Sequence, residues 1–239
     1  MKTFSYDGTW EGLLSAIFLT YKEPNAAISN PRDGITMFGA ETVETNAEYA
    51  ERLTSGMERL NPEMPLFAFR AFCAEYEGFE TDLLLSLRFG FEREADPFSQ
   101  RQIPFIRRIA EAERKAGGEA HRFLGLVRLV NAGGDLYVGD IEPDCNILPL
   151  IGQHFYDRYN DQRIIIRDVK RLLALVSQPP AGWWLTELTE IAPLPEDKEF
   201  TEMWKGYFQA MANPERVNKK LQRQFVPLKH RKHLHEFRG

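Results

Sequence analysis

The periodicity of this chain changes at Gly117-Gly118, and that change limits the folds open to it. Before the glycine pair, apolar residues recur at helical spacing. Trp10, Leu13, Leu14, Ile17, Phe18 and Tyr21 fall at i, i+3, i+4, i+7, i+8 and i+11, which predicts a first helix capped by Asp7 or Thr9. Thr45-Asn46-Ala47-Glu48 is a capping box and opens a second helix that buries Ala50, Leu53, Met57 and Leu60. Asn61-Pro62 opens a third, ended by Gly78. Helices over 80–91 and 97–115 follow, the last with a kink expected at Pro104.

After the pair the pattern is that of strands and tight turns. Residues 123–130 and 136–141 read as strands joined at Asn131-Ala132-Gly133-Gly134-Asp135. A helix over 147–159 comes next. A second hairpin, 163–167 and 172–176, turns at Asp168-Val169-Lys170-Arg171, and 183–191 reads as a fifth strand. Phe200, Met203, Trp204, Tyr207, Phe208 and Met211 form an apolar helical stripe, and Asn213-Pro214 opens a last helix. The order predicts an α+β fold. A helical N-terminal half packs on an antiparallel sheet of about five strands, built from two hairpins around a helix, with C-terminal helices. Linkers are short, so 1–239 reads as a single domain. Its subregions are a helical one (about 1–116), a sheet-bearing one (about 119–191) and C-terminal helices (about 196–235).

The 239 residues suffice for a full core. No apolar run approaches the roughly 18–20 residues of a membrane span, and the N-terminus has no signal-peptide core. Cys73 and Cys145 are too few for a disulfide framework or an all-cysteine metal or cluster site. A cytoplasmic setting with no metal is the expectation.

Four features carry candidate chemistry. On the 147–159 helix, His154 and Arg158 fall one turn apart on the side of Ile147, Leu150, Ile151 and Phe155. A guanidinium turned inward there needs oxygen partners, for which Asp140, Glu142 and Asp168 are available. Such a polar centre can bind a phosphate or a flipped nucleotide, or lock helix to sheet through an ion pair. Second, Glu119-Ala120-His121-Arg122 enters the predicted first strand. There Glu119 and His121 would share a face, as an oriented general base requires, with Arg122 opposite. Third, Asp168 sits where aspartate commonly closes a turn.

Fourth is the C-terminus. After Pro214 there are eight basic residues (Arg216, Lys219, Lys220, Arg223, Lys229, Arg231, Lys232, Arg238) against two acids, Glu215 and Glu236. That net +6 leaves −11 on the rest of a chain whose formal charge is −5. Arg216, Lys219, Lys220 and Arg223 fall within about 100° of helical arc, with Val217, Leu221 and Phe225 opposite and Asn218 and Gln222 flanking. Lys229, Arg231 and Lys232 extend the track. Such a ridge contacts phosphates, or meets an acidic partner, or docks on the acidic body itself. Trp183, Trp184, Trp204 and Tyr207 fit packing better than base stacking. Adjacent Trp183 and Trp184 point to opposite sheet faces.

Several segments resemble the DUF4130 family, bacterial proteins associated with DNA metabolism or repair. They are Tyr6-Asp7-Gly8-Thr9-Trp10-Glu11-Gly12, Glu119-Ala120-His121-Arg122-Phe123-Leu124-Gly125 and Ile147-Leu148-Pro149-Leu150-Ile151-Gly152-Gln153-His154-Phe155 with Arg158. Met203-Trp204-Lys205-Gly206-Tyr207 and Arg216-Val217-Asn218-Lys219-Lys220-Leu221-Gln222 complete the match. Arg163-Ile164-Ile165-Ile166 departs from the family's aromatic-rich strand opening. The resemblance implies a radical-SAM partner that modifies or repairs DNA. Any iron–sulfur cluster and SAM would sit in that partner, so no cofactor is expected in this chain. It also implies a short form lacking the glycosylase-like domain of longer relatives. It supplies no catalytic residues.

The leading expectation is an accessory DNA-metabolism protein that binds DNA through its basic C-terminal helix. A second is a free-standing enzyme acting on DNA or a nucleotide, with Glu119, His121, His154 or Asp168 in acid–base roles and Arg122 and Arg158 holding an anion. A third is a docking protein for an acidic partner, without nucleic-acid contact.

Overall fold

The computed structural model describes residues 2–21, 23, 25–30, 40–194, 202–203, 206–207 and 219–237. The chain divides into two compact units, Met1–Ala116 and Gly117–Gly239.

The first unit is mostly helical. Strand β1 (Lys2–Ser5) is followed by α1 (Trp10–Thr20), β2 (Ala26–Ser29), β3 (Glu41–Thr42), α2 (Ala47–Leu60), α3 (Met64–Phe72) and α4 (Phe79–Arg93). Thr9 caps α1 by accepting from Gly12 N. Asn46, rather than Thr45, caps α2, because Thr45 Oγ1 instead donates to Asp7. Gly78 does not end α3. It lies at φ 84 as the N-cap of α4, a left-handed position that suits glycine. The strands form a small parallel sheet ordered β2-β1-β3 that the sequence pattern did not predict. Strands of two to four residues are too short to show a period.

Helix α5 (Pro104–Leu126) overturns the predicted break at Gly117-Gly118. Each glycine costs a helix interior about 1 kcal/mol. The helix nevertheless runs on, because Ala116, Ala120 and Phe123 bury at i, i+4 and i+7. Pro104 opens this helix instead of kinking it, as a proline in the first turn can.

The second unit carries the larger sheet: β4 (Val130–Gly133), β5 (Leu136–Ile141), β6 (Arg163–Asp168), β7 (Leu173–Gln178) and β8 (Gly182–Glu187), ordered β4-β5-β6-β7-β8. It is mostly antiparallel, and the fold is α+β. The β5–β6 pair is parallel, with Leu136 opposite Arg163 and Ile141 opposite Asp168. The crossover is α6 (Leu148–Arg158), which returns the chain to the same end of the sheet. Asn131 closes the β4–β5 turn, accepting from Gly133 N and donating to Gly134 O, with both glycines at positive φ. Ile141, Ile164, Ile166 and Leu175 are fully buried on the face that α6 covers. Gly152 sits against the Trp183 ring so closely that a Cβ would lie 2.5 Å from it. After β8 come helix α7 (Lys219–Phe225) and two short 3-10 turns, Leu228–His233 and His235–Phe237. Most of the predicted Phe200–Met211 stripe lies outside the described residues. Met203 and Tyr207 are helical and exposed.

Candidate functional site

Helix α6 buries Leu148, Ile151, Gly152 and Phe155. At 100° per residue that arc centres well away from Ile147, which precedes the helix. His154 and Arg158 therefore fall at the margin of the buried face. Arg158 is exposed, with its guanidinium 5.8 Å from the centroid of the Tyr159 ring. The expectation that it projects inward is overturned. It is the last residue of α6, where a cation also favours the helix dipole. His154 is half-buried, its ring edge against Phe155, and its Nε2 is buried without a hydrogen-bond partner among the described residues.

The three carboxylates considered for Arg158 are taken by other cations. Asp140 receives two hydrogen bonds from Arg167, at 2.6 and 3.0 Å, and Arg167 also donates to Ala192 O. Glu142 faces Lys232 and His233. Asp168 pairs with Arg171 at 2.9 Å. Arg167 is the guanidinium buried in this sheet, at 8% exposure.

Glu119 and His121 lie on α5, not on a strand. Two residues apart on a helix, they diverge by about 200°. Glu119 is buried, while His121 and Arg122 are exposed, so the expected Glu119–His121 dyad does not form. The Glu119 carboxylate accepts from the amides of Asp144 and Cys145, at 3.0 and 2.8 Å. It thus caps the loop between β5 and α6. The histidine that faces it is His230, with Nε2 3.9 Å from Glu119 Oε1.

Asp168 closes its turn as expected, accepting from the amides of Lys170 and Arg171 at 3.1 Å each. Full burial raises its pKa against the lowering by the Arg171 guanidinium. Arg171 also donates to the carbonyls of Pro143 and Asp144, at 3.1 and 2.7 Å. Glu119 and Arg171 therefore hold one loop from opposite chemistries. The carboxylate takes its N–H groups and the guanidinium its C=O groups.

The outer side of that loop meets the C-terminus. Lys229 pairs with Asp144, and Lys232 with Glu142, whose Oε1 is 3.1 Å from His233 Nε2. Burial opposes ionisation of Glu142, but hydrogen bonds from Lys232 and His233 outweigh it and hold its pKa below the usual value. Arg231 lies over the Phe237 ring and donates to Val226 O. Its guanidinium also reaches Gln222 Oε1 at 3.4 Å. Part of the predicted phosphate track is thus spent within the molecule. On α7, Lys220, Gln222 and Arg223 are exposed, and so is Phe225, expected on a buried face. Arg216, Asn218 and the Lys219 side chain lie outside the described residues. Trp183 donates to Gln153 Oε1 at 3.1 Å, and Trp184 points to the other face, 42% exposed.

In the first unit, polar residues serve the fold. Asp7 accepts from Thr9 N, Thr9 Oγ1 and Thr45 Oγ1, joining the starts of α1 and α2. Tyr6 and Asn30 both donate to the buried Glu80. A cavity of about 430 Å³ beside β1 and β3 is lined by Lys2, Glu41, Thr45 and Tyr49 among others. Its Lys2 and Glu41 pair with each other at 2.7 Å.

Among the described residues, no group of three or more His, Cys, Asp or Glu side chains is placed to hold a metal ion. No helix of the described residues is long and apolar enough to cross a membrane.

A loop bound by paired charges, with a cationic C-terminal segment over it, marks an α+β protein whose described polar residues chiefly tie elements together. The family model for DUF4130, a domain of unknown function, matches residues 77–236, and the chain belongs to the DUF4130 family. No curated protein matches the chain. One solved structure resembles it, "pGpG-specific phosphodiesterase - PggH from Vibrio cholrae". It is 8% identical, over 88% of this chain and 98% of that one, at a TM-score of 0.38. A likeness that low carries no argument about activity.

Proposed function

We propose that this protein is an accessory factor of DNA metabolism that binds DNA through α7 and works beside a radical-SAM enzyme. The observation that supports the DNA contact is the contrast within the C-terminal cations. Lys229 and Lys232 meet Asp144 and Glu142, whereas Lys220 and Arg223 stand exposed one turn apart, with no carboxylate partner among the described residues. The partner and pathway rest on the family resemblance. The candidate acid–base groups do not converge, since Glu119 is buried and bound to amides while His121 and Arg158 are exposed. A binding role is therefore favoured over catalysis.

Salt-dependent DNA binding, followed by fluorescence anisotropy, tests the contact. If Lys220 and Arg223 each neutralise a phosphate, the double alanine variant lowers the log–log salt slope by about 2. The Lys229→Ala/Lys232→Ala variant leaves the slope unchanged. An unaltered slope in the first variant, or no DNA binding by the intact chain, rejects α7 as a DNA contact and favours docking on an acidic protein.

A further inference from the structure

The C-terminal segment 228–237 is fastened to the second unit in two different ways. Its outer side chains make exposed ion pairs, Lys229 to Asp144 and Lys232 to Glu142, which contribute little in water. Its inner side chains, His230 and Leu234, are 3% and 1% exposed. Arg128, in the stretch between α5 and β4, holds Glu236 at 2.7 Å. His230 is the unusual member. Its ring packs edge-on against Phe123, with centroids 4.9 Å apart, and neither ring nitrogen has a hydrogen-bond partner among the described residues.

A buried imidazole without hydrogen bonds is tolerable only while uncharged. The charged groups around it do not supply a net counter-charge. From α5 come Glu119 and Arg122, from the β5–α6 loop Asp144, and from the segment itself Lys229. Glu119, the nearest at 3.9 Å, already accepts from two loop amides, and Asp144 is paired with Lys229.

We propose that His230 is a proton-sensitive pin: acidification charges its ring and unseats segment 228–237, uncovering the loop around Glu142 and Asp144 and releasing Lys229 and Lys232. This does not depend on the DNA-binding reading. Burial, with Lys229 adding to it, holds the imidazole below its ordinary value of 6.5. The seated state therefore favours the neutral ring. Its stability is complete above the ordinary pKa and declines as the pH falls below 6.5 toward the lowered value. The segment's other described histidine side chain, His233, faces Glu142 at 3.1 Å on the outer side and serves as the control.

Hydrogen exchange of the full chain at pH 7.5 and 5.5, corrected for intrinsic rates, tests the pin. Amides of 228–237 should lose protection by up to about tenfold, the limit for one proton over this range. Those of β5–β7 should not. His230→Phe keeps a ring against Phe123 and removes the titration, so its segment is expected to be insensitive to pH; His233→Gln retains the loss. Equal protection at both pH values in the unmodified chain overturns the proposal, and so does a loss that persists in His230→Phe. If His230→Phe does not fold, NMR titration of the His230 ring decides. A midpoint below 6.5 at which segment resonances also shift supports the pin, and a midpoint at or above 6.5 removes it.

Discussion

The loop from Glu142 to Cys145 is held from two sides, and the two sides use charge differently. On the inner side, the buried Glu119 accepts from backbone amides, and the largely covered Arg171 donates to backbone carbonyls as well as to Asp168. On the outer side, Lys229 and Lys232 are half-exposed and meet carboxylates that are themselves partly solvated. Water competes more for the outer contacts than for the inner ones. Similar donors and acceptors are therefore expected to differ severalfold in what they contribute. Inner contacts fix the loop, whereas outer contacts set where the C-terminal segment rests.

The sharpest way to break this asymmetry is Glu119→Ala. It leaves the amides of Asp144 and Cys145 buried without an acceptor, at about 1–3 kcal/mol each. A total loss of about 3–5 kcal/mol is expected in urea unfolding. Glu119→Gln keeps an acceptor and should recover a large part of it. A loss under about 1 kcal/mol would mean that the loop does not need its inner clamp.

The second comparison is between Asp168→Ala and Asp168→Asn. Alanine removes the turn acceptor and the partner of Arg171 together, and breaking a buried pair costs about 3–5 kcal/mol. Asparagine keeps the turn bonds and loses only the charge, so it should cost less. The pH dependence separates them further. Burial raises the Asp168 pKa, so the folded state takes up a proton before the unfolded chain does. That group's contribution to stability therefore grows as the pH falls through its raised value toward 3.8. Both variants should lack this rise in thermal melts across that window. If Asp168→Asn retains it, the rise belongs to another carboxyl.

The same residues explain what the sequence could disclose. Asp168 as a turn closer was readable because an Asx turn is a local event within three residues. The alternation that sends Trp183 and Trp184 to opposite faces was readable for the same reason. So were β5, the β4–β5 turn and the α+β order, each carried by a local period or a glycine-rich turn. Helix continuation and side-chain partners depend on contacts distant in sequence, and no local pattern carries them. Gly117-Gly118 looked like a stop, yet burial of Ala116, Ala120 and Phe123 outweighed the propensity of two glycines. A helix face anchored on Ile147 places Arg158 in the core, but Ile147 lies outside α6 and Arg158 is exposed. The buried guanidinium is Arg167, on β6, where Asp140 of the adjacent strand β5 supplies its carboxylate. His230 was hidden inside a run of cations, where composition suggests solvent. Only the tertiary fold of the second unit brings it 111 residues back along the chain, to Glu119. The parallel β5–β6 pairing likewise depends on where α6 lands.

The smallest expected effect is the most discriminating for the outer side. Lys229→Ala/Lys232→Ala removes two exposed pairs, each worth about 0–1 kcal/mol, so global stability should shift by less than about 1 kcal/mol. Raising the salt to 1 M, where the screening length falls to about 3 Å, should erase most of that difference. Protection of amides 228–237 should nevertheless fall measurably in low salt, because these pairs act on the segment and not on the core. If the double variant instead unfolds the second unit, the lysines belong with Glu119 and Arg171 as part of the clamp. If segment protection does not change at all, seating is due to His230, Leu234 and the Arg128–Glu236 pair alone, and charge on the outer side serves only to attract a partner.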